Sequence, residues 1–102
     1  MKENDVVTAT IKRVRFHKEE RMVQGATFGT YDSAYVGELN EYPNGIVILN
    51  DYAKANHPDW TNKTDNRAAE IETELKGKVL RIVVTDVFSG DNQFQGILKY
   101  SD

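Results

Sequence analysis

Lys12, Arg13, Arg15, Lys18 and Arg21 place five of the 13 basic residues of this chain within ten positions. Closely spaced cations can follow a phosphate backbone and release its counterions. The same run also fits a solvated strand end, because surface charge runs are common and Glu19 and Glu20 stand inside it as local partners. Aromatic rings are the second chemistry-bearing group. Phe28, Tyr31 and Tyr35 are spaced to sit on one short stretch of strand, where an exposed ring could stack on a base and a buried one would fill the core. Phe88 precedes the turn residues Ser89, Gly90, Asp91 and Asn92, so it could stack on a ligand from a loop or seal the end of a domain. His57 and Asp59 flank Pro58, and such a pair could hold a metal or polarise a nucleophile. Two ligands are too few for a metal, and His17 has no spacing relation to them, so a loop role is expected. Trp60 is expected to plug one end of the domain. No phosphate-cradling glycine loop, nucleophile motif or metal cluster appears, so neither an enzyme nor a cofactor is expected.

Composition sets the frame for these groups. A chain of 102 residues closes one hydrophobic core and reads as a single domain. Its 39% hydrophobic and 28% charged residues are ordinary for a folded domain and argue against wholesale disorder. It has no cysteine, which excludes a disulfide framework and a thiolate metal site. No apolar stretch matches a signal peptide or a membrane span, which points to a cytoplasmic address. The net charge of -3 argues against strong non-specific nucleic-acid binding, which usually comes from a basic domain.

The elements that must position these residues are legible as periods. In DVVTATIKRVRF, Val7, Ala9 and Ile11 alternate with Val6, Thr8 and Thr10, and the β-branched content and period of two read as a strand. Val14 and Phe16 then continue one residue out of phase, which predicts a β-bulge near Lys12–Arg13. HKEERMVQG is polar and without a clear period. It reads as a loop, with a hairpin through Met22 and Val23 as the extended alternative. Strands are expected near 5–16, 28–40, 45–50, 78–87 and 94–101. A turn is expected at Pro43, Asn44 and Gly45, and a single helical turn after Asp51 that ends before Pro58. A helix is expected near 66–76, with Ala68, Ile71 and Leu75 on one face and Gly77 as its stop. In KVLRIVVTDV, Leu80, Ile82 and Val84 point one way and Val79, Val83 and Val87 the other. The outcome is an all-β fold with one helix: a small five-stranded OB-type barrel with its helix between strands three and four.

The segment AYVGELNEYPNGIVILNDYA resembles the heart of the S1-type RNA-binding domain, a branch of the OB fold. Ala34, Tyr35 and Val36 stand where that family has a small residue, an aromatic and Val. Gly45, Ile46 and Val47 stand where it has Gly and a short aliphatic strand, and Asn50, Asp51 and Tyr52 at its polar end. Ile48 occupies a position where the family often has His. ELKGKVLRIVVTDVFSGDNQFQGILKYSD is similar to the family's closing hairpin. The resemblance implies single-stranded RNA, or DNA, as a weakly held ligand and places Tyr35 on the binding surface.

The expected site is therefore Lys12, Arg13, Arg15, Lys18 and Arg21 for phosphates, with Tyr35 and Phe88 for bases. The alternative is a protein-interaction module that uses the barrel surface or the long first loop. The acidic balance favours that alternative.

Overall fold

The computed structural model describes the backbone of residues 1–23, 26–59 and 65–99, and the side chains of these residues outside 18–33 and 65. Trp60 lies outside the described residues. Among the described residues there are six strands and two helices: β1 (Val6–Ala9), β2 (Ile11–Val23), β3 (Ala26–Leu39), β4 (Gly45–Ile48), α1 (Asn50–Asn56), α2 (Asp65–Leu75), β5 (Leu80–Val87) and β6 (Phe94–Leu98). The strands form one sheet in the order β1-β5-β6-β4-β3-β2. Every pairing is antiparallel except that of β4 with β6. The sheet curls so far that its two outermost strands, β1 and β2, are consecutive in the chain with only Thr10 between them.

Two expectations are corrected here. There are six strands rather than five, because the expected first strand changes partners at Thr10. Residues before it pair with β5 and residues after it pair with β3. At the change, the Thr10 N–H donates to Glu41 Oε1 at 2.7 Å, and its hydroxyl donates to Glu41 Oε2 at 2.8 Å. The Thr10 carbonyl accepts from the Asn40 N–H at 3.0 Å. A side-chain carboxylate thus replaces a ladder partner, and the strand is interrupted. Helix placement also differs. There are two helices rather than one, and both lie between the fourth and fifth strands, because Asn50–Asn56 makes a full seven-residue helix rather than a single turn. Its start has no side-chain cap from Asp51: Leu49 occupies the N-cap, and the Asn50 side chain instead accepts from the Tyr35 N–H at 3.0 Å.

Residues 17–23 are likewise strand rather than loop, in line with the hairpin alternative through Met22 and Val23. β2 runs on to Val23 and β3 starts at Ala26, with Lys18 opposite Ser33 and Glu19 opposite Asp32. Backbone ladder bonds need no apolar period, so pairing of this kind leaves no hydrophobic signature in the sequence.

Other expectations are met. The register shift in β2 falls between Ile11 and Arg13, which turns both Ile11 and Val14 inward, 2% and 5% exposed. Ala68, Ile71 and Leu75 bury one face of α2, and Gly77 stops that helix with φ +84°. Ile82 and Val84 are fully buried beside Tyr35, Leu39, Val47, Leu49 and Phe94. α2 also covers the open edge of β2, where the Val14 N–H donates to Glu72 Oε1 at 2.8 Å.

The Glu41 carboxylate is held below the ordinary carboxylate range because the Thr10 backbone and hydroxyl donate to it. A depressed folded value adds stability above the unfolded pKa, and that stability is lost as pH falls through the folded one. Urea melts should therefore show wild type and Glu41→Gln converging as the pH drops below about 4, and differing at neutral pH. A gap that stays constant with pH would mean that the Thr10–Glu41 contact does not hold the strand break.

Candidate functional site

The outer face of β2 begins at the bulge. Lys12 is the extra residue and is exposed. Beyond it Arg13, Arg15 and His17 alternate with the inward Val14 and Phe16, so all three leave the same face. Register sets Arg13 opposite Glu38, and both guanidiniums converge on that carboxylate. Arg13 Nη2 stands 2.8 Å and Arg15 Nε 3.2 Å from Glu38 Oε2. Arg15 Nη1 approaches His17 Nδ1 at 3.3 Å. The stripe is a partly neutralised track: two cations share one carboxylate, and Lys12 adds a third charge. The Arg13 side chain keeps 60% of its surface in water, so further donors of its five-donor fork face solvent. Lys18 and Arg21 follow on the same strand, but their side chains lie outside the described residues, as do those of Phe28 and Tyr31.

The two aromatic candidates separate. Tyr35 is fully buried and packs against Phe16 with ring centroids 5.8 Å apart. It is a core residue and cannot stack on a base, which corrects its expected place on the surface. In AYVG both neighbours are apolar, and the strand turns Tyr35 and Gly37 toward the core while Val36, on the opposite face, is also buried, 3% exposed. Phe88, in contrast, is 50% exposed at the turn after β5. That turn is closed by the Phe88 N–H donating to the Gln93 carbonyl at 2.9 Å, and is tied to the β3–β4 turn where the Asn44 side chain donates to the Asp91 carbonyl at 3.1 Å. Following the register from Arg13 through Glu38, Ile46 and Gln95 leads to Asp86, two residues before Phe88. Arg13 and Phe88 therefore lie at the same end of the curled sheet.

A second polar cluster joins α1 to α2. His57 Nε2 lies 3.1 Å from Glu74 Oε1, which also accepts from the Tyr52 hydroxyl at 2.7 Å. Arg67 Nη1 reaches His57 Nδ1 at 2.9 Å and Glu70 at 2.8 Å, and its other Nη meets Asp59. A guanidinium can only donate, so Nδ1 accepts and the ring carries its proton on Nε2, facing Glu74. Burial raises the Glu74 carboxyl while the Tyr52 and His57 hydrogen bonds lower it, and the balance falls below its ordinary range. The expected His57–Asp59 pair thus meets on Arg67 and acts as a clasp. Among the described residues no group of three or more His, Asp or Glu is placed to hold a metal.

Sequence reasoning missed Glu38, Arg67, Glu70 and Glu74. The i, i+3 spacing of Arg67 and Glu70 was a visible signal on α2, whereas Glu38 is 25 positions from Arg13 and only register joins them. Among the described residues no helix is long and apolar enough to cross a membrane. No family model, curated protein or solved structure matches this chain.

Proposed function

We propose that this chain is a non-catalytic OB-type module of the S1-like kind that binds single-stranded nucleic acid, RNA or DNA, across the end of the barrel bearing Lys12, Arg13, Arg15 and Phe88. The observation that carries the reading is the outward stripe of cations on β2, which leads from the bulge into the β2–β3 ribbon. Strand order supports the OB assignment. Counted as halves of one bent strand, β1 and β2 leave a five-stranded barrel with its helices between the third and fourth strands. Following the register from Val6 through Val83, Ile97, Ile48 and Val36 returns to Arg15, nine residues further along that strand. A closed, tilted sheet requires such a stagger. Loops at this end of an OB barrel are its usual oligonucleotide contacts. Incoming phosphates would compete with Glu38 for the two guanidiniums, which fits weak binding. Tyr35 has no part in the interface.

Fluorescence anisotropy with a short single-stranded RNA and its DNA counterpart, at several salt concentrations, tests this. Arg13→Ala with Arg15→Ala should flatten the salt dependence by about 0.7 per lost phosphate contact. Phe88→Ala should cost about 1–3 kcal/mol and leave the salt slope unchanged. Absence of wild-type binding at low salt sinks the reading.

A protein-interaction module is the second reading. It is favoured by the outer-face rung of Val6, Val83, Ile97 and Ile48, in which Val6 is 44% and Ile97 39% exposed and the other two are half-buried. Contiguous aliphatic surface of this kind suits a protein partner better than a base. It becomes the leading reading if oligonucleotides fail to bind.

A further inference from the structure

At the opposite end of β5 from Phe88, about 25 Å away at the usual strand rise, an open groove of about 280 Å³ runs between the helices and the sheet. Its walls are aliphatic. Leu75 comes from the end of α2, Val79 from the residue before β5, Leu80 from the start of β5, and Leu98 from the end of β6. Val79 is 71% exposed, so this surface is not closed by the fold itself. The rim is cationic. Arg81 and Lys99 line it, held side by side where the Lys99 N–H donates to the Arg81 carbonyl at 2.9 Å. Lys76 and Lys78 flank Val79 in the chain and are exposed. No acid occurs between Leu75 and Thr85, although the whole chain carries a net charge of -3.

We infer that this groove is a second binding site, for a short acidic peptide segment of a partner protein that carries two large aliphatic side chains. Charge selects the occupant: a local cationic rim on an acidic protein complements a segment rich in Asp and Glu. Shape selects its anchors. The groove is open along one side, so it accommodates side chains rather than enclosing a ligand. Aliphatic walls also distinguish this site from the nucleic-acid surface. Among the described residues that line it the one aromatic, Tyr52, is half-buried with its hydroxyl donating to Glu74, and offers no stacking platform.

The test uses the full chain and a fluorescein-labelled peptide of Asp and Glu with two leucines one helical turn apart. A control peptide has both leucines replaced by serine. The leucine peptide should bind, and the serine peptide should bind at least about tenfold more weakly. Val79→Asp and the pair Arg81→Glu with Lys99→Glu should each weaken the leucine peptide by about tenfold or more. Far-UV circular dichroism confirms that each variant is folded, and Val79 is exposed enough for its exchange to be tolerated. Arg13→Ala with Arg15→Ala should leave peptide binding unchanged, which separates this site from the proposed nucleic-acid face. Equal binding of both peptides, binding of neither, displacement of the peptide by a single-stranded oligonucleotide, or preference for vesicles of anionic lipid would each overturn the inference.

Discussion

Tyr35→Ala should destabilise the fold by about 3–5 kcal/mol, whatever the chain binds. The ring is fully buried, it packs on Phe16, and its backbone N–H anchors the Asn50 side chain at the start of α1. Removing it empties part of the core, where the clustered side chains belong to all six strands and both helices and cannot all collapse into the gap. Tyr35→Phe keeps the ring and should lose only what the hydroxyl contributes, about 0.5–1.5 kcal/mol. Urea unfolding of the two variants separates a core role from a surface one. If Tyr35→Ala shifts the midpoint within error yet abolishes oligonucleotide binding, the buried placement is wrong and the ring is a stacking platform after all.

Phe94→Ala should be comparably costly, about 3–5 kcal/mol, and the expected signature is its coupling to Gly45. Phe94 is 1% exposed, lies edge-on to Tyr42 with centroids 5.4 Å apart, and is opposite Gly45 in the parallel β4–β6 pair. A Cβ built on Gly45 would stand 2.4 Å from Cε1 of the Phe94 ring, well inside contact distance. The ring occupies the space that the missing side chain leaves. Gly45→Ala should therefore destabilise wild type by about 1–3 kcal/mol through overpacking. In a Phe94→Leu background the same change should cost less, because the smaller side chain withdraws from the collision. A double-mutant cycle from thermal or urea melts measures this directly. Strictly additive effects would show that the ring and the glycine do not share the space.

The parts legible in the sequence share one property: their signals are local. The strand KVLRIVVTDV alternates, and its inward set of Leu80, Ile82 and Val84 turned out as its parity implied, with Ile82 and Val84 fully buried. The stripe of Ala68, Ile71 and Leu75 placed α2 against the core for the same reason at a different period. The phase slip after Ile11 placed the bulge near Lys12–Arg13, where the register shift falls, because one extra residue must invert every side chain beyond it. The cationic stripe was equally readable, since Arg13 and Arg15 are two apart on a strand.

What remained open depended on contacts distant in the chain. In AYVG either parity buries something apolar, so the pattern could not say whether Tyr35 or Val36 faced the core. Curling of the sheet put Tyr35 inside. The ribbon beyond His17 carried no apolar period, and its ladder pairing identifies it. The interruption at Thr10 required the Glu41 carboxylate, 31 positions away. The pairing of Arg13 and Arg15 with Glu38, which sets how much cationic charge the candidate site offers, was likewise a matter of register. By itself, then, the amino-acid order determined the periodic elements, the face that α2 and β5 bury, and the bulge, because a side chain's direction follows from backbone geometry within a few residues. The tertiary structure decided which strands met, which of two apolar faces turned inward and which charges were neutralised, because register and closure depend on partners the local pattern does not contain.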